Sequence, residues 1–299
     1  MCPLPSARLA GIALAFASFP LAAQEVIRED EVLDGDRPEA WAMHYRTAST
    51  LMTAFGPPPV LAPGQWQAAV ELGDVPHLDT RKSAVGFNGQ KNEDLNKSPA
   101  FGRVRGWVGL PEGFIVELAW TPPVEIDGAK ARDVWAAAVS RRVVDADGVI
   151  VLLRAFGLHG AVVGDVTCPA ELAGVHFERN PYGCEAASSD TLQLNHYGLE
   201  ATAALVDGPW TWHLTGGMVR MENEVQVDAI TYGFRDYSRL TATDDVGFLA
   251  FGVGRSFGAH WGAALEALYV PLTVLRMPDG SADSDPLLSF RVQVRYTFD

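Results

Sequence analysis

The end of the chain carries the pattern that most restricts the fold. Over residues 288–298, apolar and polar side chains alternate without a break, as in a β-strand with one apolar and one polar face. A half-buried soluble strand can show this pattern, but the length is close to the ~10 residues of a tilted membrane-crossing strand. We therefore predict an all-β fold. The apolar face holds Leu288, Phe290, Val292, Val294, Tyr296 and Phe298, and the polar face holds Ser289, Arg291, Gln293, Arg295 and Thr297.

Composition narrows the protein class. Hydrophobic residues make up 48% of the 299 residues, yet beyond residue 23 no apolar run is long enough for a membrane-spanning helix. A β-barrel and a soluble β protein remain as the protein classes that can accommodate so many apolar residues. The formal net charge of −14 argues against nucleic-acid binding, which needs a basic face.

Residues 1–23 have the features of a secretory signal peptide. Arg8 supplies a positive charge, residues 9–17 form a short apolar core, and Leu21-Ala22-Ala23 precedes Gln24 as a small-residue cleavage site. We therefore predict that the chain is exported. Loss of Arg8 with the signal would change the formal charge from −14 to −15.

Two cysteines, Cys168 and Cys184, remain after the predicted cleavage. An even number of cysteines in an exported chain indicates a disulfide. The residues that flank both positions, such as Pro169, Pro181 and Gly183, are typical of loops, which disfavours two buried free thiols. We predict a disulfide that ties down one long loop.

The terminal strand resembles the closing strand of Gram-negative outer-membrane β-barrel proteins. These proteins usually end in an aromatic residue at or near the last position, and here Phe298 is followed only by Asp299. The resemblance implies a C-terminus in the periplasm, short periplasmic turns, long outer loops, contact with outer-membrane lipid, and recognition of the terminal strand by the barrel-assembly machinery.

Working backward from this strand, we predict a transmembrane up-and-down antiparallel barrel of about ten strands over residues 64–299. Short turns and long loops then alternate, as a barrel with two different rims requires. Aromatic side chains near both strand ends point outward, which is typical of the two membrane interfaces. The predicted strands are Gln65 to Leu72, Phe101 to Leu110, Phe114 to Val124, Arg132 to Val144, Val149 to Val163, Leu192 to Val206, Trp210 to Met221, Val246 to Phe257, His260 to Leu275, and Leu288 to Phe298.

Residues 24–63 precede the barrel. Asp36 is a candidate helix cap before Pro38, and the proline-rich run after Gly56 would end the helix. The sequence leaves two places open for this segment, the periplasm or the barrel lumen as a plug.

Alternation assigns a set of charged side chains to the lumen. In a closed barrel Glu71 of the first strand would lie between Arg103 and Arg105 on one side and the arginines of the last strand on the other. Buried charges need partners, so we predict a salt-bridge network that fills a narrow lumen; a selectivity lining or ligand site is the alternative. The predicted lumen residues are Gln67, Glu71, Arg103, Arg105, Glu117, Glu200, Thr202, His213, Glu266, Arg291, Gln293 and Arg295.

The function predicted from the sequence is a non-enzymatic outer-membrane barrel, either a narrow conduit for small or hydrophobic solutes or a barrel that presents its outer loops. A barrel-embedded protease or lipid hydrolase is one alternative, but His176 and the pair Asp244-Asp245 lack a suitable spacing, and His213 points inward with Thr215. A soluble periplasmic lipid-binding β protein is the other. No catalytic residue, metal site, cofactor or specific ligand is predicted.

Overall fold

The computed structural model describes residues 25–57, 60–276 and 280–298. Ten long antiparallel strands form a closed barrel, because the last strand pairs with the first and places Gln293 opposite Glu71. The predicted all-β barrel is confirmed; the predicted signal peptide lies outside the described residues. The barrel strands are β1 (Trp66–Asp74), β2 (Ala100–Gly109), β3 (Phe114–Thr121), β4 (Ala129–Ala146), β5 (Val149–Gly164), β6 (Asp190–Asp207), β7 (Trp210–Gln226), β8 (Arg239–Phe257), β9 (Trp261–Val270) and β10 (Leu287–Thr297).

The outer face of the barrel is an apolar belt. Along each strand, exposed apolar side chains alternate with buried ones; Leu199 is 67% exposed and Phe290 60% exposed, for example. A continuous apolar surface of this extent is unfavourable in water and matches the hydrocarbon layer of a bilayer. The chain is therefore a barrel membrane protein, which disfavours the soluble alternative.

The two rims of the barrel differ. Residues 110–113, 147–148, 208–209 and 258–260 form short connections at one end, the short-turn rim, and the segments between strands at the other end, the long-loop rim, are longer. Cys168 and Cys184 form a disulfide in the loop between β5 and β6, as predicted.

Several predicted boundaries were wrong at the long-loop rim. The strand β3 ends at Thr121 because Pro122 and Pro123 have no N–H to donate to a neighbour. Residues 221–245 are mostly strand, so Asp244 and Asp245 lie within β8 rather than in a loop. Likewise β4 already begins at Ala129, and β9 ends at Val270, before Pro271.

Short helical and strand elements lie at the long-loop rim. They include a one-turn helix, whereas a 3-10 turn at residues 111–113 lies at the short-turn rim. The helix is Gly86–Gly89, and the short strands are Glu25–Ile27, Asp30–Val32, Ala84–Val85, Lys91–Asn92, Glu125–Ile126, Ala229–Thr231, Phe234–Asp236, Thr273–Arg276 and Ser281–Ser284.

A single helix of three turns, α1 (Pro38–Ser49), lies inside the barrel. Pro38 occupies its first turn, where the missing N–H costs nothing, but the residue at the N-cap is Arg37 and its side chain makes no cap, so the predicted role of Asp36 was wrong. Nearly every residue of α1 is buried, and Trp41 is completely enclosed. Among the described residues, no helix is long and apolar enough to cross a membrane.

Candidate functional site: the plugged lumen and its cavity

The N-terminal segment runs through the lumen from one rim to the other. Asp30–Val32 pairs with the outer end of β8 at the long-loop rim, and α1 follows inside the barrel. Further along, Gly56 lies against the ring of His213, and Leu61 packs with Trp107 near the short-turn rim. Residues 25–57 are therefore a plug.

Four arginines from the barrel wall hold the end of α1 and the residues that follow it. The last carbonyl groups of a helix have no partner within the helix and carry partial negative charge, so cationic donors stabilise them. The guanidinium groups donate here to consecutive carbonyl oxygens of the plug. The bonds run from Arg291 to Ser49 at 3.2 Å and also to Leu51, from Arg103 to Thr50 at 2.8 Å, from Arg154 to Met52 at 2.9 Å, and from Arg105 to Thr53 at 2.8 Å.

Buried carboxylates neutralise three of these arginines. Glu71 lies 2.7 Å from Arg105 and 3.3 Å from Arg103, and Glu117 bridges Arg105 at 2.5 Å and Arg154 at 3.0 Å. Glu200 extends the chain of ion pairs, at 2.8 Å from Arg154. All these side chains are nearly inaccessible to solvent, so the network and the plug close the lumen at this level.

The strands place the other predicted lumen residues as follows. Glu266 accepts a hydrogen bond from Thr53 of the plug at 2.6 Å and lies 3.2 Å from the His213 ring. Arg291 binds the plug rather than Glu71. Arg295 is only partly buried and forms no salt bridge with Glu71. The remaining three are buried: Gln67 bonds Thr297 at 2.8 Å, Thr202 bonds Thr215 at 2.7 Å, and Gln293 lies opposite Glu71.

Sequence reasoning missed Arg154, which belongs to the centre of the network. The inward positions before and after it on β5, Leu152 and Phe156, are apolar, and so are many outward ones. In a strand that is apolar on both faces, the alternation does not show which side chains point into the lumen. A lone arginine inside such a strand was the available signal.

Two buried histidines of the barrel wall have hydrogen-bond partners inside the lumen. In the described lumen, His213 bonds Glu266 and His196 bonds the Leu194 carbonyl, and neither ring bonds a hydroxyl that could act as a nucleophile. No group of three or more His, Cys, Asp or Glu side chains in the described residues could hold a metal ion.

Toward the long-loop rim, a partly open cavity of about 700 Å³ is bounded on the inside by one face of α1 and the barrel wall and also reaches residues of the outer surface such as Leu72. The volume lies within the range of sites for small organic ligands. Its inner wall is mostly aliphatic and is drawn from five strands and the plug. The apolar lining inside the barrel includes Ala42, Met43, Ala131, Val134, Leu158, Val162, Leu192, Leu194, Val225 and Leu240.

Comparisons with known proteins found distant similarity to solved structures and no match among family models or curated proteins. Among solved structures, the outer-membrane protease OmpT from Escherichia coli is 9% identical with a TM-score of 0.36, over 79% of this chain and 94% of that one. The attachment invasion locus protein Ail of Yersinia pestis is 8% identical with a TM-score of 0.25, over 79% of this chain and 100% of that one. A Pseudomonas aeruginosa FadL homologue is 11% identical with a TM-score of 0.26, over 88% of this chain and 92% of that one.

Proposed function

We propose that this barrel membrane protein resides in the outer membrane of a Gram-negative bacterium and binds hydrophobic solutes for passage across or within that membrane. The observation that carries the proposal is the cavity of about 700 Å³, whose wall inside the barrel is mainly aliphatic. Burial of apolar ligand surface stabilises such a complex by roughly 25 cal/mol per Å² before the costs of association.

The filled half of the lumen argues against an open aqueous pore. The plug crosses it, and the ion pairs around Arg105 and Arg154 occupy the space between the plug and the wall. A hydrated ion would have to displace these buried contacts. We therefore expect the intact protein to conduct ions poorly and to bind apolar molecules in the half toward the long-loop rim.

Binding of a neutral fluorescent apolar probe to the detergent-purified protein tests this function. Leu158→Trp places a large side chain in the cavity, while Leu153→Trp adds the same side chain to the lipid-facing surface of the same strand. We expect the cavity variant to weaken binding at least tenfold and the surface variant to bind as the native protein does. Equal binding by all three proteins, or no binding by the native one, would contradict the proposal and favour a barrel that only presents loops.

Conductance provides a second test. In planar bilayers the native protein should show almost no ion current. Deletion of residues 25–57 removes the plug and should open steady channels, because charged side chains then line an unfilled lumen. Large steady channels from the native protein would instead support a conduit for small polar solutes.

A further inference from the structure

The barrel wall is incomplete beside the cavity. On β2, pairing with β3 stops at Val104, so Ala100–Arg103 have no partner on that side. On β4, pairing with β3 stops at Val134, and the next paired residue toward the rim is Lys130. Pro122 and Pro123, which end β3, are the cause. The result is a gap in the wall between β2 and β4, which we call the side gap.

The cavity extends through the side gap to the lipid-facing surface. Its lining includes the buried Leu158 and Val134, and it also includes Leu72 and Val104, which are exposed on the outer face of β1 and β2. A continuous apolar path therefore joins the inside of the barrel to the apolar belt. Trp120 and Trp135 pack against each other on the outer face, one residue closer to the short-turn rim than the gap.

Arg46 of α1 adds a positive charge to this apolar cavity. It is partly buried, its Nη2 atom has no hydrogen-bond partner in the described chain, and none of the described salt bridges includes it. The other basic side chains along the cavity have a carboxylate partner or are exposed, although Nε and Nη1 of Arg103 also lack a hydrogen-bond partner in the described chain. Arg37 pairs with Glu39 at 3.0 Å, Lys97 pairs with Asp94 at 2.9 Å, Arg103 pairs with Glu71 at 3.3 Å, and Lys130 is exposed at the rim.

We propose that the cavity takes a single-chain amphiphile with an anionic head, which enters from the membrane through the side gap. The chain would lie along the aliphatic wall, and the head would accept charge-assisted hydrogen bonds from Arg46. A guanidinium with an unbonded donor in a low-dielectric site gains most from an anionic partner. This inference rests on the proposed binding of hydrophobic solutes and specifies the ligand class and the route.

The head-group test compares three ligands with the same saturated chain, bearing a carboxylate, a phosphate monoester or a hydroxyl, in displacement of the neutral probe. With native protein we expect the two anionic ligands to bind more tightly than the alcohol. Arg46→Gln should weaken both anions about 10- to 100-fold and leave the alcohol unchanged, while Arg46→Lys should retain part of the preference. Arg179→Gln, an exposed charge in the loop between β5 and β6 that does not line the cavity, is the control and should change nothing.

The outcomes separate the two proposals. Failure of all three ligands to bind would overturn the proposed function itself. Tight binding of the alcohol with no preference for either anion, or equal losses for all heads in Arg46→Gln, would overturn the head-group assignment alone. A preference for one anion over the other identifies the head, carboxylate or phosphate.

Two outward-facing glycines on β2 allow a test of the route. Gly102 lines the side gap, whereas Gly106 lies where β2 is paired on both sides. Gly102→Leu should obstruct the gap and slow the uptake of amphiphile dissolved in the vesicle membrane by about tenfold or more. Gly106→Leu should bind at the native rate. Equal rates in both variants would show that the ligand enters by another path.

Discussion

The two halves of the lumen differ in the side chains that line them and in how completely these side chains fill the space. Toward the short-turn rim, Glu71, Glu117 and their arginines form ion pairs that fill the interior, and the arginines hold the plug by hydrogen bonds to its carbonyl oxygens. Toward the long-loop rim, residues such as Leu158 and Val162 line the inner part of a cavity of about 700 Å³. Ion pairs in a dry interior tolerate little rearrangement, because an unpaired charge there is costly, whereas aliphatic walls adapt to a ligand at small cost. The comparison indicates that the first half closes the barrel and the second half receives the ligand.

The largest effect on stability should follow from a substitution that breaks the ion pairs in the charged half of the lumen. Glu117→Ala removes a carboxylate that neutralises both Arg105 and Arg154, and loss of one partner in a buried pair costs about 3–5 kcal/mol. We expect a clear drop in the melting temperature and a rise in ion conductance. Glu117→Gln should be milder, since its amide oxygen still accepts a hydrogen bond. Glu178→Ala, an exposed loop position, is the control; if it destabilises as much as Glu117→Ala, the network does not hold the lumen closed.

An intermediate effect is expected from the disulfide, which belongs to the other half. The bond between Cys168 and Cys184 closes a loop with a sequence separation of 16 residues, for which chain entropy gives about 3 kcal/mol. The double change Cys168→Ser and Cys184→Ser should raise hydrogen exchange in residues 165–189. The strands around Glu117 should remain protected, because their pairing does not involve that loop. Loss of protection throughout the barrel would show that the two halves are not independent.

The smallest expected effect is a pH dependence of stability, caused by a buried carboxyl group at the long-loop rim. Burial raises the pKa of Glu93 to about 7, with Asp190 and Glu39 adding to the rise and Lys91 opposing it. Because the folded value lies above the unfolded one, the stability that protonated Glu93 contributes is present below about pH 4.5 and is lost as the pH rises through 7.

Glu93→Gln removes this titration and tests the assignment. Thermal unfolding should show the variant more stable than the native protein at about pH 8 by a few degrees, and nearly equal to it at about pH 5. The exposed position Glu125, changed to Gln, should show no such pH dependence. A variant that is less stable at the higher pH would mean that pairing with Lys91 outweighs burial.

The sequence predicted the barrel well because alternation is a property of each strand by itself. The register that places Gln293 opposite Glu71 follows from strands with one apolar face, since a shift by one residue would turn every side chain around. Arg154 could not be placed, because β5 is apolar on both faces. The plug was left undecided, since the helical pattern of residues 38–49 does not say what surrounds it.

The cavity was beyond prediction for a different reason. It arises where α1 does not fill the space inside five strands, and packing between distant segments leaves no local pattern in the sequence. The side gap, in contrast, had a visible signal. Pro122 and Pro123 stand within the segment predicted to continue to Val124, and two missing N–H groups in succession are enough to end a strand.

The path of the plug has a consequence for how the molecule is assembled. The N-terminal segment enters at the long-loop rim, descends the lumen and continues at the short-turn rim into β1, the strand that forms the seam with β10. The chain is thus threaded through the ring that it forms. Either the segment already lies in place when β1 meets β10, or it is drawn afterwards through a finished barrel. A backbone cut between Leu61 and Trp66 would leave residues 25–57 held inside the barrel by non-covalent contacts alone.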